Sequence, residues 1–126
     1  MQILVASANI FRRELTCYML VDAGYQVVEA ANKTTLLTQL NTMSPDLLVI
    51  DRAFDGLPAS EIVPLVRTRS SCPICWLGTI EHASELRGAN GPEADYLLWP
   101  YESEELLRCV ARHELPLRER CVGADE

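Results

Sequence analysis

Short apolar runs alternate with segments of helical spacing along nearly the whole chain. Gln2-Ile-Leu-Val-Ala6 is apolar and β-branched and reads as a buried strand. Asn9 stands where a helix cap belongs, and Phe11, Leu15, Tyr18 and Met19 then recur as the apolar stripe of a helix. Gly24 closes that helix, and Tyr25 to Ala30 is a second strand. Asn32 caps a second helix carrying Leu36, Leu37, Leu40 and Met43 on one face, broken at Ser44-Pro45. Asp46-Leu-Leu-Val-Ile50 is a third strand ending at Asp51. Ile62, Leu65 and Val66 mark a third helix, whose first turn Pro64 is expected to distort or delay. Pro73 to Leu77 is a fourth strand, and 81–90 form a short fourth helix striped by Ala83 and Leu86. Tyr96 to Trp99 is a fifth strand. Glu104 to Glu114 is a last helix with Leu106, Leu107 and Val110 inward, stopped by Pro116. The charged residues after it are expected to fray.

Fully apolar strands imply a sheet covered on both faces, hence parallel. With right-handed crossovers this is a doubly wound, five-stranded α/β sheet of flavodoxin-like (βα)5 type, in three α/β/α layers. Such sheets bind ligands at the carboxyl ends of their strands. The residues to inspect are therefore Ser7, Ala8 and Asn9, then Asp51, then Gly78 and Thr79, then Trp99 and Pro100.

A length of 126 residues fits one domain, and 48% hydrophobic residues exclude general disorder. No apolar run approaches the roughly 18 residues of a membrane span. Met1 leads straight into a strand rather than a signal peptide. A net charge of −7 argues against nucleic-acid contact by this domain, because phosphate binding needs Lys and Arg. Cys17, Cys72, Cys75, Cys109 and Cys121 are odd in number and irregular in spacing, as expected in a reducing, cytoplasmic setting. Cys72-Pro-Ile-Cys75 lacks the second ligand pair of a structural zinc site and opens a strand rather than a helix, so buried apolar thiols are expected.

Over about residues 2–115 the chain resembles the receiver domain of two-component response regulators. Asp46-Leu-Leu-Val-Ile-Asp51 is similar to the strand presenting the phosphoacceptor aspartate. Ala94-Asp-Tyr-Leu-Leu-Trp-Pro-Tyr101 is similar to the final strand and turn, and Gly24-Tyr-Gln-Val27 to the entry into the second strand. The resemblance implies a receiver-like domain over 1–116. It leaves 117–126 as a C-terminal tail or the start of a linker to a possible output domain.

The departures from that family are chemical. Where it has two acids after the first strand, Ser7 and Ala8 stand here. Where it has the phosphate-pairing Lys, Trp99 stands before Pro100. Where it has a Ser or Thr after the fourth strand, Gly78 stands, with Thr79 one place late. Phosphoryl transfer to a carboxylate requires a divalent cation and oriented positive charge. Losing one such stabilising group costs about two to three orders of magnitude in rate.

These losses imply a pseudo-receiver that does not catalyse its own phosphorylation, with Asp51 a vestigial phosphoacceptor capping backbone N–H groups or paired with a base such as Arg52 or Arg13. No cofactor is expected, Mg²⁺ included. The alternative is a receiver still phosphorylated at Asp51 by a histidine kinase or phosphotransfer protein, through an unconventional metal site to which Asp55 or Asn9 contributes. A small-ligand sensor using the same crevice is a third reading. Trp76 and Trp99 are expected near the pocket, filling vacated space, with Tyr96 at the switch-aromatic position held fixed by packing. By the same resemblance, a protein partner or second copy is expected on the face made by the fourth helix, fifth strand and fifth helix. Here that face carries Glu81, Glu85, Arg87, Glu104, Glu105, Arg108 and Arg112.

Overall fold

A computed structural model describes residues 1–51, 53–79, 95–99 and 101–125. In chain order the elements are β1 (Gln2–Ala6), α1 (Ile10–Asp22), β2 (Gln26–Ala30), α2 (Lys33–Thr42), β3 (Leu47–Asp51), β4 (Ala53–Phe54), β5 (Leu57–Pro58), α3 (Ala59–Arg67), β6 (Ile74–Thr79), β7 (Asp95–Trp99) and α4 (Ser103–Asp125). Five strands form one sheet in the order β2-β1-β3-β6-β7, and every neighbouring pair is parallel. This is the doubly wound, flavodoxin-like order, with the switch between β1 and β3. The expected fourth helix, 81–90, lies outside the described residues.

Side-chain alternation along the strands divides the core into two layers. Leu4, Ala6, Leu48, Ile50, Ile74 and Trp76 meet Leu36, Leu40, Ile62 and Val66 of α2 and α3 on one face. Ile3, Val5, Leu47, Val49, Cys75, Leu77 and Leu97 meet Leu20 of α1 and Leu106, Cys109 and Val110 of α4 on the other. Leu47 to Asp51 are all buried, as a central strand covered on both sides must be.

The caps read from the sequence are present. Asn9 Oδ1 accepts from Arg12 N (3.0 Å) and Asn32 Oδ1 from Thr35 N (2.8 Å). Gly24, at φ +97°, ends α1 while its N–H bonds the carbonyl of Val21.

The structure corrects three expectations. First, α1 is rotated from the orientation its apolar stripe predicts. Thr16 and Leu20 are its buried residues, whereas Phe11, Leu15 and Tyr18 are exposed, with Ile10 and Val21 beside them. Leaving such side chains in water forgoes about 1.5–3 kcal/mol each. Polar anchors hold the helix in this phase. Arg12 reaches Asp51, Arg13 Nη1 donates to the Ser7 carbonyl (2.9 Å), and the Thr16 hydroxyl bonds the Tyr101 hydroxyl. Turning the stripe inward would break all three and expose Leu20.

Second, α3 is not delayed by Pro64. It begins at Ala59 and runs through the proline to Arg67. Pro64 forfeits one N–H bond, while its carbonyl still accepts from Thr68 N (3.2 Å), and Ile62 and Val66 tie both sides to the core.

Third, α4 does not stop at Pro116. It continues to Asp125, so residues 117–125 are helical rather than a frayed tail. The missing proline N–H costs on the order of 3 kcal/mol. Strong helix formers flank it, Leu115 before and Leu117-Arg-Glu-Arg120 after, and buried Leu106, Cys109 and Val110 anchor the helix.

Candidate functional site

Asp51 ends β3 on the sheet face covered by α1 and α4, and is 6% exposed. Both of its oxygens are engaged. Ser7 Oγ, just past β1, donates to Oδ2 at 2.6 Å, and Arg12 Nη1, in the first turn of α1, donates to Oδ1 at 3.0 Å. The Asn9 backbone N–H donates to Ser7 Oγ (3.2 Å), so a backbone donor orients the hydroxyl toward the carboxylate. The tie between Arg12 and Asp51 is a charge-assisted hydrogen bond.

Trp99, at the end of β7, completes the surroundings of the guanidinium. Arg12 Cζ lies 5.5 Å from the centroid of its ring, a cation–π distance. Tyr101 meets Trp99 edge-on, with ring centroids 5.1 Å apart and planes at 83°. Burial pushes the Tyr101 hydroxyl up from an ordinary 10 to about 12, against the opposing bond from Thr16. Asp51, Arg12, Trp99, Tyr101 and Thr16 therefore form one continuous series of contacts linking β3, β7 and the connection before α4 to α1.

The expected base for Asp51 was Arg52 or Arg13, and the structure gives Arg12 instead. Arg52 lies outside the described residues. Arg13 lies 100° further round the helix and turns to the Ser7 carbonyl and to Glu29, whose Oε1 it meets at 3.2 Å. The helix phase that singles out Arg12 was hidden by the exposed stripe. Thr16 and Tyr101 were also missed, since a hydroxyl pair 85 residues apart carries no local signal.

Trp76 does not adjoin the pocket. It pairs in register with Ile50, so it points to the face opposite Asp51 and is fully buried among α2 and α3 residues. Asp55 does not approach Asp51 either. Its carboxylate accepts from Lys33 N (2.9 Å), and so caps the first turn of α2 beside Asn32. Asp55 (φ 52°) and Gly56 (φ 79°) form the turn of a two-residue hairpin joining β4 to β5, for which the Asp-Gly pair was a legible signal.

Ala8 is exposed and Gly78 buried. Thr79 stands opposite Trp99 in register, and Tyr96 opposite Trp76. Pro100, Glu81, Glu85 and Arg87 lie outside the described residues. Glu104, Glu105, Arg108 and Arg112 are exposed on α4.

Cys72 and Cys75 point to opposite faces of the sheet, so the C-x-x-C spacing does not make a thiol pair. Cys75 instead meets Cys109, the Sγ atoms 3.3 Å apart and both buried.

These residues do not fit a resident Mg²⁺. The ion wants several hard oxygen ligands at octahedral geometry. Here the end of β1 offers a serine and an alanine, and the Asp51 oxygens carry a guanidinium and a hydroxyl proton. Among the described residues no three His, Cys, Asp or Glu side chains converge on a possible metal position.

No protein-family model matches the chain. The phosphate regulon transcriptional regulatory protein PhoB of Klebsiella pneumoniae is 28% identical over 123 residues, covering 92% of this chain and 54% of that protein. A two-component response regulator from Clostridium difficile superposes with a TM-score of 0.83 at 18% identity, over 93% of this chain and 98% of that one. In sequence and in fold the chain is similar to response regulator receiver domains. It spans about half the length of the curated relatives it matches. The receiver domain of a sensor histidine kinase from Pseudomonas aeruginosa, with a magnesium ion coordinated in its active site cleft, has a TM-score of 0.74 at 22% identity, over 88% of this chain and 94% of that one. No helix of the described residues is long and apolar enough to cross a membrane.

Proposed function

We propose that this chain is a receiver domain of the pseudo-receiver kind: a phosphorylation-independent signalling module that works by protein–protein contact and does not catalyse its own phosphorylation. One observation carries the reading. The Arg12 guanidinium sits on Asp51 Oδ1, where a receiver doing phosphotransfer needs a free carboxylate oxygen and a metal beside it. A phosphoryl donor approaching Asp51 has first to displace both Arg12 and the Ser7 hydroxyl. Displacement supplies no divalent cation in their place, and Trp99 brings no charge of its own.

Supporting the same reading, Arg12 converts the pocket from a binding site into a brace. It clamps α1 to the end of β3 without any ligand. Such a receiver holds one arrangement and offers its surfaces constitutively. By the family resemblance, a partner or second copy docks on the face that includes Glu104, Glu105, Arg108 and Arg112, and an output domain follows in the whole protein. Its place of work is the cytoplasm, in keeping with buried free thiols.

The experiment is a Mg²⁺ titration followed by beryllium and fluoride, read by Trp99 fluorescence and two-dimensional amide spectra. The expected result is no saturable change up to millimolar Mg²⁺ and no shifts with beryllofluoride. Saturable shifts around Ser7, Asp51 and Thr79, abolished by Asp51→Asn, overturn the reading. They establish instead a receiver phosphorylated at Asp51 through an unconventional metal site.

A further inference from the structure

Two thiols meet in the core between β6 and α4. Cys75 alternates with Ile74 and Trp76 along β6, so its side chain turns to the face covered by α1 and α4. Cys109 stands with Leu106 and Val110 on the inward stripe of α4. Both are fully buried, and the Cys109 thiol donates to Cys75 Sγ across 3.3 Å. That is closer than the roughly 3.5–4.0 Å at which carbon atoms, which are smaller than sulfur, make their best contact. Closing it to the about 2.05 Å of a disulfide takes roughly 1.2 Å, shared between two side chains. Filling the core asks for two small apolar side chains here. It does not ask for their sulfurs to be aimed at each other.

Cys72 and Cys17 are kept away from this pair. Cys72 lies on the opposite face of the sheet. Cys17 faces Glu29 on β2, three strands from β6, on the order of 14 Å at about 4.8 Å per strand.

We propose that Cys75 and Cys109 are a redox modification site, joined reversibly into a disulfide that locks α4 to β6. The oxidant is a small-molecule disulfide such as oxidised glutathione. One cysteine gives up its proton, and its thiolate attacks a sulfur of that molecule. The S–S bond of the oxidant breaks, a mixed disulfide forms, and one reduced glutathione leaves with the proton. The other cysteine, deprotonated in turn, attacks the protein sulfur of the mixed disulfide and expels the second glutathione. Two protein thiols are oxidised, and one glutathione disulfide is reduced to two thiols. Because both cysteines are buried, α4 has to part from β6 for the first step. Contact between the sulfurs then favours the second step, which is intramolecular. The two cysteines lie 34 positions apart, so the bond restricts the unfolded chain far more than the folded one, where the sulfurs already meet. In a reducing setting such a bond is transient and senses oxidation. The site shares no residue with the series from Asp51 to Thr16, and its failure leaves the Mg²⁺ result untouched.

The test refolds the full chain from urea in a buffer of reduced and oxidised glutathione, which removes the barrier of access. Remaining thiols are trapped with N-ethylmaleimide, and the links are mapped by mass spectrometry. Cys72 and Cys75 share a tryptic peptide, so fragmentation has to place the link between them. The expected product joins Cys75 to Cys109, in at least tenfold excess over any other pair. Its urea midpoint is expected to lie above that of the reduced chain, and dithiothreitol is expected to reverse the rise. Cys75→Ala and Cys109→Ala are each expected to abolish the rise, whereas Cys72→Ser keeps it. The map of the parent chain decides even where a variant fails to fold. A different pair in the majority, glutathione left on either cysteine, or a pair that stays reduced overturns the proposal. So does a linked chain whose midpoint is equal to or below that of the reduced one.

Discussion

Arg12 Nη1 lies 3.0 Å from Asp51 Oδ1, and this contact joins the first turn of α1 to the carboxyl end of the central strand. The two partners are unequally placed. Asp51 is nearly buried, whereas the Arg12 side chain is 20% exposed and also stacks on Trp99. Removing the base leaves an almost buried carboxylate with Ser7 as its remaining donor among the described residues. Removing the acid leaves a guanidinium that water still reaches.

That asymmetry predicts unequal mutational costs. Arg12→Met is expected to destabilise the fold by about 1–3 kcal/mol, discounted from the 3–5 of a fully buried pair because water reaches the site. Asp51→Asn is expected to cost about 1 kcal/mol or less, since an amide still accepts one hydrogen bond there. Urea denaturation of both variants reads the difference. A larger loss for Asp51→Asn contradicts this account of the pocket.

The hairpin after Asp51 depends on left-handed backbone at Asp55 and Gly56. Gly56→Ala places a Cβ at φ 79° and is expected to cost about 1–2 kcal/mol, although no described residue lies within 4 Å of that Cβ. Asp55→Ala adds the loss of the cap on Lys33 N and is expected to cost about 1 kcal/mol. Thermal melts distinguish backbone strain from crowding, because Gly56→Asn is expected to recover part of the loss and a clash would worsen with size.

The strands were legible because Ile3-Leu-Val and Leu47-Leu-Val-Ile are apolar on both faces, which only a covered parallel sheet explains. Asn9, Gly24 and Asn32 were legible because capping is local chemistry. The phase of α1 was not. Periodicity locates an apolar stripe without saying what covers it, and here Arg12, Arg13 and Thr16 form its core-facing side through partners far away in sequence. The extent of α4 was missed for a related reason, as Pro116 is a local stop signal overridden by anchoring further back at Leu106 and Val110.

The thiols are expected to be sluggish. Burial, reinforced by the charge of Glu29, pushes Cys17 up from 9.0 to about 12, and burial pushes Cys72 up as well. At pH 8 almost no thiolate is present at Cys17. Alkylation by iodoacetamide in the native state should run at least tenfold slower than for an unfolded cysteine. Modification of Cys17 or Cys72 at the unfolded rate would mean that the burial described here does not hold in solution.

Tyr101 and Cys17 together predict how stability responds to alkali. Each is an acid whose folded form holds its proton to about 12, while the unfolded chain releases it near 10 and 9.0. Between those values the unfolded state binds fewer protons than the folded one, so stability falls as pH rises. The loss begins between pH 8 and 9 as the unfolded thiol ionises, and is complete above about 12. Tyr101→Phe keeps the ring against Trp99 but leaves the buried Thr16 hydroxyl without its partner, which costs about 1–2 kcal/mol at neutral pH. The same variant is expected to lose stability less steeply between pH 10 and 11, since one titrating group has gone. Cys17→Ala should flatten the whole fall above pH 9, including the segment from pH 9 to 10 that Tyr101→Phe leaves unchanged. Urea midpoints at pH 8, 9, 10 and 11 separate the two effects, and slopes parallel to the parent's in both variants would place the alkaline sensitivity elsewhere in the chain.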